Sequence, residues 1–497
     1  MTRTPRIPLR PLARILEARA KGENPDVIER ENLRQRHDEM RDRARLRAEG
    51  RLLVLAGLFL CAFLLVGGRM AMLSASEASE PRAQAPGARI AMARADIVDR
   101  NGRVLATNLA THALYAQPPM MVDPERAARE LARIFPDLDP KEMLEDFTGT
   151  RKFLWIKRKI SPEQRQAVHD IGEPGLLFGP REMRLYPNGP LAAHVLGGAS
   201  FGKEGVNAAE VIGVAGVERR FDAYLRDPAN GGAPLKLSID LSVQAAVERV
   251  LAGGMRMMNA KGAAAVLMDV HTGEVVSMAS LPDFDPNDRP HPLTRGDRGD
   301  DPLFNRAVQG RYEMGSVFKV FAAAQALELG LVNPSTPIDT KGPLRWGEFA
   351  IRDFKNYGPH LSVTDVIVKS SNIGTARMAM QIGVNRQRDF LGRLGLLEPT
   401  PVELTEAPGA KPLLPRRWSE LSTMTISYGH GLSSSPLHLA AAYSSVVNGG
   451  TRVSPTLIHT PHPSPGERLL RPEVSAAVRH MLRQVVVRGT ASFGEVT

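Results

Sequence analysis

Glu313–Gly330 reads EMGSVFKVFAAAQALELG: a turn-forming EMG, a serine, a lysine three residues later, and a nearly unbroken apolar run that ends in glycine. The spacing predicts a helix opening at Ser316, with Lys319 one turn on and on the same face. In that geometry a lysine amine can take the serine's proton, provided burial lowers its pKa enough to leave it neutral when it acts. The amides at the helix start would also stabilise a developing anion.

A second S-x-x-K, Ser200–Lys203, lies between glycines. Nothing there fixes the lysine relative to the serine, and it reads as a chance match. Further chemistry comes from Ser370-Ser371-Asn372, the chain's only S-x-N, 54 residues past Ser316. It sits between the helical stretches SVTDVIVK and IGTARMAMQIG. A turn there would project a hydroxyl and an amide into a cleft: Ser370 beside Lys319 to relay a proton, Asn372 to hold a substrate amide. Taken alone, Ser-Asn would be an ordinary helix cap. No G-x-S-x-G, H-E-x-x-H or G-x-x-x-x-G-K-[ST] is present, so hydrolase-elbow, zincin and P-loop chemistries have no support.

Around this centre the 497 residues have room for two to three domains, without the composition of a repeat or a disordered chain. The single cysteine excludes a disulfide framework and multi-cysteine metal sites. The net charge of +10 is concentrated: residues 1–51 hold 14 Arg/Lys against 9 Asp/Glu, ending in RDRARLRAEGR. The apolar run LLVLAGLFLCAFLLVGG follows and, with Arg69 snorkelling, continues to Leu73, about 22 residues or roughly 33 Å of helix. A basic flank on the N-terminal side of such a run predicts membrane topology rather than a nucleic-acid partner. Residues 1–51 are expected in the cytoplasm, 52–73 in the lipid as a single-pass inner-membrane anchor, and the rest in the periplasm. A leading region of 51 residues is too long for a cleaved signal peptide.

Residues 74–89, rich in Ser, Ala, Pro and Glu, read as a linker. RADIVDRNGRVLA then predicts a hairpin about Asn101-Gly102, followed by helices in PERAARELARIF and SPEQRQAVHDIG, the second opened by a capping box. The break RDPANGGAP predicts a boundary separating residues 90–232 from residues 233–497. Beyond it, LKLSIDLSVQAAVERVLAGG reads as a strand and a helix, and GAAAVLMDVHTGEVVSMAS as two strands joined at His271-Thr272-Gly273. The fold class is α+β, with strands and helices in separate groups.

Ser316-x-x-Lys319 and Ser370-x-Asn372 resemble the first two motifs of penicillin-binding proteins and serine β-lactamases. RADIVDRNGRVLA, RLYPNGPLAAHVLG, GVAGVERRFDAYL, LSIDLSVQ, MDVHTGEVVSMASLPDFDPN, NRAVQGRYEMGSVFK and SYGHGLSSSPLHLAAAYS narrow the resemblance to class B penicillin-binding proteins from about Ile90 onward. SYGHG and the short pedestal look most like the division-specific, FtsI-type branch. Met314 departs from the family's usual proline. The family's third motif, K-T-G, normally comes about 130 residues after S-x-N. The residues here run to RGTASFGEVT, so the transpeptidase domain is expected to lack its C-terminal end; Lys341-Gly342 and Arg488-Gly489-Thr490 are no substitute.

The resemblance implies an elongated pedestal domain and a transpeptidase domain that cross-links peptidoglycan stem peptides at the septum. Ser316 would be the nucleophile, Lys319 the general base, Ser370 the proton relay and Asn372 the substrate-amide binder, with no metal or cofactor required. β-Lactams would acylate Ser316. An FtsW-type glycan polymerase and other division proteins are the implied partners, with Gly57, Cys61 and Gly67–Gly68 letting a neighbouring helix approach within the lipid. A D,D-carboxypeptidase, a β-lactam sensor and a catalytically incomplete scaffold are the competing readings.

Overall fold

The computed structural model describes residues 11–75, 94–204, 209–460 and 466–494. The chain divides into two compact units, Met1–Glu80 and Pro81–Thr497.

In the first unit, helix Leu12–Ala20 precedes helix Pro25–Ala75, which is 51 residues long. The basic stretch and the apolar run, read separately in the sequence, are therefore one continuous helix. Its described apolar side chains from Val54 to Met70 are exposed along the whole run. Among the described residues no helix is long and apolar enough to cross a membrane. Of the linker expected at residues 74–89, the first two residues extend this helix and the others lie outside the described residues.

The second unit begins with the hairpin expected about Asn101-Gly102. Strand Ile97–Val98 turns through Gly102, whose φ of 87° is cheap only for glycine, into the long strand Val104–Ala116. That strand pairs antiparallel with Leu176–Leu185 on one side and Leu154–Ile160 on the other. Helices Pro124–Ile134, Pro140–Thr148 and Pro162–Asp170 pack on this sheet, each with proline in its first turn and a capping side chain: Asp123, Asp139 and Ser161. The expected capping box is present, with Ser161 Oγ accepting from the Gln164 amide at 3.2 Å and Gln164 Oε1 from the Ser161 amide at 2.9 Å.

The composition break at 226–234 is a short 3₁₀ turn, Pro228–Asn230, with Gly231 and Gly232 in the left-handed region. Both sides of it belong to one compact unit. Strand Leu235–Lys236, just after it, pairs in parallel with Ile97–Val98. One apolar core contains Leu105, Val195 and Val217 from before the break and Ile239, Val275 and Leu437 from after it. The hairpin tip also grips the next helix: Asp99 accepts from the Leu241 amide at 3.1 Å, and Arg103 pairs with Asp240, the N-cap of helix Leu241–Met257, at 2.9 Å.

Strands Ala263–Met268 and Val275–Leu281 form the second predicted hairpin. Their turn is held by Asp269 Oδ1, which accepts from the amides of His271 and Thr272, both at 2.8 Å. Gln244 on helix Leu241–Met257 straps that helix to the sheet by exchanging hydrogen bonds with the backbone of Met278 at 2.9 Å. The largest core surrounds helix Lys319–Glu328, in which every residue from Lys319 to Leu327 is buried. Burial on all sides explains why its sequence is apolar in every direction rather than striped. Helices Val363–Val368, Asn372–Ile382, Val384–Arg393, Glu420–Ser427 and Pro472–Arg488 enclose it. Arg488 ends the last of these and pairs with Asp365 at 2.7 Å.

Candidate active site

The turn before the central helix differs from the sequence expectation in one respect. Gly315 takes a left-handed φ of 61°, and Gly315–Phe318 form a 3₁₀ turn before regular helix starts at Lys319. A 3₁₀ turn has about three residues per turn, so positions i and i+3 eclipse rather than being offset. The eclipse sets Lys319 directly beneath Ser316. The turn is seated on the Ser427–Gly431 stretch: the Gly315 amide donates to the Gly429 carbonyl at 3.1 Å, and a Cβ on Gly429 would lie 2.0 Å from the Gly315 carbonyl oxygen. Glu313 ties the same loops together, accepting from the Gly431 amide at 2.7 Å and from His430 Nδ1 at 3.1 Å. Those two contacts, the amide first, hold its carboxyl below the usual range.

Ser316 is exposed while Lys319 is 2% exposed. The lysine's Nζ donates to Ser316 Oγ at 3.0 Å, to Ser370 Oγ at 2.8 Å and to the Ser370 carbonyl at 2.7 Å. Three acceptors match the three hydrogens of an ammonium, and all three are uncharged. Burial accordingly pushes the Lys319 pKa down from 10.5 to about 8, against an opposing pull from the Asp353 carboxylate.

Ser370 reaches this position through a strained turn. Helix Val363–Val368 ends with the Ser370 amide donating to the Ile367 carbonyl and the Ser371 amide to the Val366 carbonyl, the paired bonds of a Schellman cap. The residue after such a cap is usually glycine, because its φ is positive. Here it is Ser370, at φ 58°, a conformation costing an L-residue on the order of 1–2 kcal/mol. A glycine would relieve that cost and remove the hydroxyl that meets Lys319.

The structure thus brings Ser316, Lys319 and Ser370 into one hydrogen-bonded cluster. Asn372 starts the next helix, and its Nδ2 donates to the Arg352 carbonyl at 3.0 Å rather than joining the cluster. Ser200 lies in strand Gly198–Glu204, opposite Ile212 of Ala209–Ala215. Extended backbone gives a three-residue spacing none of the stacking that a helical turn provides.

Sequence reasoning missed Asp353, Glu313 and Tyr443. Asp353 accepts from Ser371 Oγ at 2.7 Å and from the Ile373 amide at 3.0 Å. Tyr443 donates its hydroxyl to the Val317 carbonyl at 2.6 Å, and burial pushes its pKa up. Asp353 lies in none of the stretches singled out above; Glu313 and Tyr443 do lie in quoted stretches, but each acts across a tertiary contact that the sequence does not mark.

Chemically, the cluster pairs an exposed hydroxyl with a buried amine of lowered basicity and a second hydroxyl on the amine's far side. Such a set can move a proton off Ser316 and pass one on through Ser370.

Two family models match the chain: the penicillin-binding protein transpeptidase domain over residues 263–496 and the penicillin-binding protein dimerisation domain over residues 89–232. Among curated proteins, the probable peptidoglycan D,D-transpeptidase FtsI of Caulobacter vibrioides is 37% identical over 406 residues, covering 81% of this chain and 66% of that protein. The peptidoglycan D,D-transpeptidase FtsI of Escherichia coli K12 is 28% identical, with 80% and 70% covered. The probable peptidoglycan D,D-transpeptidase PenA of Neisseria meningitidis serogroup B is 30% identical, with 81% and 71% covered. The chain spans about two thirds of the length of these relatives.

Proposed function

From the premise that this chain belongs to the penicillin-binding protein transpeptidase family, and resembles its FtsI members, we propose that it is a serine D,D-transpeptidase cross-linking peptidoglycan stem peptides during division. The observation that carries this reading is the contact of Lys319 Nζ with both Ser316 Oγ and Ser370 Oγ, at 3.0 and 2.8 Å.

In the reaction, neutral Lys319 takes the hydroxyl proton as Ser316 Oγ bonds to the penultimate carbonyl carbon of a D-alanyl-D-alanine terminus. The tetrahedral intermediate collapses by breaking the C–N bond, and the leaving D-alanine nitrogen receives a proton through the Ser370 hydroxyl. A side-chain amine of a neighbouring stem then attacks the acyl ester. It forms the cross-linking amide and returns a proton and a free hydroxyl to Ser316. The Ser316 amide, at the start of the turn, serves the oxyanion, and Asn372 orients the donor peptide. β-Lactams present a strained amide to the same serine and stay bound as the acyl adduct.

The test is mass spectrometry after incubation with a β-lactam, on the protein as its cells make it. The expected result is a stoichiometric adduct on the peptide containing Ser316. It should be lost in Ser316→Ala and unaffected in Ser200→Ala. An adduct on another serine overturns the assignment.

In this reading residues 1–51 form a cytoplasmic basic tail, 52–73 an inner-membrane anchor, 74–89 a linker, 90–232 the pedestal and 233–497 the transpeptidase region. The exposed apolar run on helix Pro25–Ala75 and the basic residues before it support the anchor. A reporter enzyme active only in the periplasm should work when fused after residue 100. Activity from a fusion at residue 40 would reverse the topology. An FtsW-type polymerase contacting the anchor and pedestal is the partner this reading favours.

A further inference from the structure

Ser370 occupies a conformation that its own side chain disfavours, so something beyond the helix cap must hold it there. The upstream side of the turn is fixed by the Schellman bonds. The downstream side is fixed from a different element, the segment that follows hairpin Leu344–Trp346/Phe349–Ile351. There Asp353 accepts from Ser371 Oγ at 2.7 Å and from the Ile373 amide at 3.0 Å, and the neighbouring Arg352 carbonyl accepts from Asn372 Nδ2 at 3.0 Å. Three consecutive residues are gripped by two. Ser371 is fully buried, and its hydroxyl also accepts from the Gly374 amide at 2.9 Å, so the carboxylate orients the N-cap of helix Asn372–Ile382. An anion at the first free amides of a helix is placed where the helix dipole favours it. Leu344 and Ile351 of the hairpin pack in one core with Ile373 and Ala376, so the gripping segment is itself anchored to the helix it caps.

We propose that Asp353 is a positioning residue for the acyl-transfer site, holding the Ser370-Ser371-Asn372 turn so that the Ser370 hydroxyl and carbonyl stay in contact with the Lys319 amine. The inference rests on the reading of Ser316 as nucleophile and Lys319 as base. A second consequence follows from the carboxylate's charge. On the elements packed around helix Lys319–Glu328, Arg377 pairs with Asp339, Arg488 and Lys369 act on Asp365, Arg471 pairs with Glu328, and Glu313 is engaged with His430. Asp353 is the charged group whose field reaches Lys319, where it favours the protonated amine. Its loss therefore misplaces Ser370 and at the same time makes Lys319 easier to deprotonate.

The experiment measures the second-order rate of β-lactam acylation against pH for the unaltered protein, Asp353→Asn and Ser371→Ala, locating the adduct by mass spectrometry and normalising to the labelled fraction. In the unaltered protein the rate should rise with pH through an acid limb near the Lys319 value of about 8. In D353N the high-pH plateau should fall by up to about 10²-fold, the cost of displacing a catalytic group by about an ångström, and the limb should move to lower pH. S371A keeps the charge but loses the hydroxyl that Asp353 holds, so its plateau should fall while its limb stays in place. Poor folding of D353N would reduce the amount labelled without moving the limb, and S371A decides the positioning role if D353N does not label at all. An unmoved limb in D353N, or a plateau unchanged in S371A, overturns the proposal. An adduct away from Ser316 in the unaltered protein instead overturns the reading on which it rests.

Discussion

Two buried charges in the second unit are solvated in opposite ways. Glu218, fully buried, is held by Arg94 at 2.6 Å and Arg184 at 2.6 Å, with Tyr186 donating at 3.2 Å. Opposite charge touches it on both sides, and the phenol drawn into the cluster has its own pKa pushed up by burial and by that carboxylate. Lys319, equally buried, touches only two hydroxyls and a carbonyl, with its nearest helpful carboxylate one residue removed, on Ser371. Desolvation without a contacting counter-charge is what depresses a lysine's pKa. A buried charge is structural when its partner is in contact. Where the partner is held back, as at Lys319, burial is left to lower the amine's basicity.

The strongest way to break this contrast is to remove the reactive charge. Lys319→Ala should slow acylation of Ser316 by roughly 10²- to 10⁴-fold, the range for losing a general base, as read from single-turnover labelling. A rate within a few-fold of the unaltered protein would mean that another group takes the proton.

The next effect falls on the structural charge. Glu218→Gln leaves Arg184 without its anion and Arg94 with Asp222 alone, at 2.6 Å, and should destabilise the second unit by about 3–5 kcal/mol, seen as a lower apparent thermal midpoint. The labelling rate per folded molecule should not change. A midpoint unchanged in E218Q would show that the cluster is worth no more than a surface ion pair.

The smallest effect sharpens the comparison by its sign. Because the folded pKa of Lys319 lies below its ordinary value of 10.5, at about 8, the unfolded chain binds more protons between those two values. Stability therefore rises with pH across that window, and below it Lys319 imposes a full penalty of at most about 3 kcal/mol. Lys319→Met should consequently be more stable than the unaltered protein at pH 7, with the difference shrinking as pH climbs from 8 to 10.5. Denaturant midpoints measured across that range check it, and a destabilised K319M at every pH would refute the idea that the lysine is held at a cost.

The contact between Ser316 and Lys319 was legible in the sequence because it is local. Ser316 and Lys319 lie within one turn, and Ser370-Ser371-Asn372 reads as a break between two helical stretches. The sequence did not reveal that Gly315 in a left-handed turn would make that first turn 3₁₀, which brings the pair into register. Asp353 was invisible because its partners are 18 and 20 residues away, beyond strand His360–Ser362 and helix Val363–Val368, and Glu313 because His430 lies 117 residues on. The break at 226–234 has the Gly and Pro content of a linker, yet the parallel pairing of Leu235–Lys236 with Ile97–Val98 depends on residues almost 140 positions apart, which no local pattern records.

That pairing has a mechanical consequence. Strands paired across the break, a common core and the Asp99 and Arg103 contacts to the start of helix Leu241–Met257 tie the region before residue 226 to the region that carries Ser316. A torque applied to the long strand Val104–Ala116 has, in these contacts, a route besides the 226–234 segment. It is delivered to the base of helix Leu241–Met257 and, through Gln244, to the sheet beside it. A load on residues before the break is thereby shared, through packed and hydrogen-bonded contacts, with the region that carries Ser316.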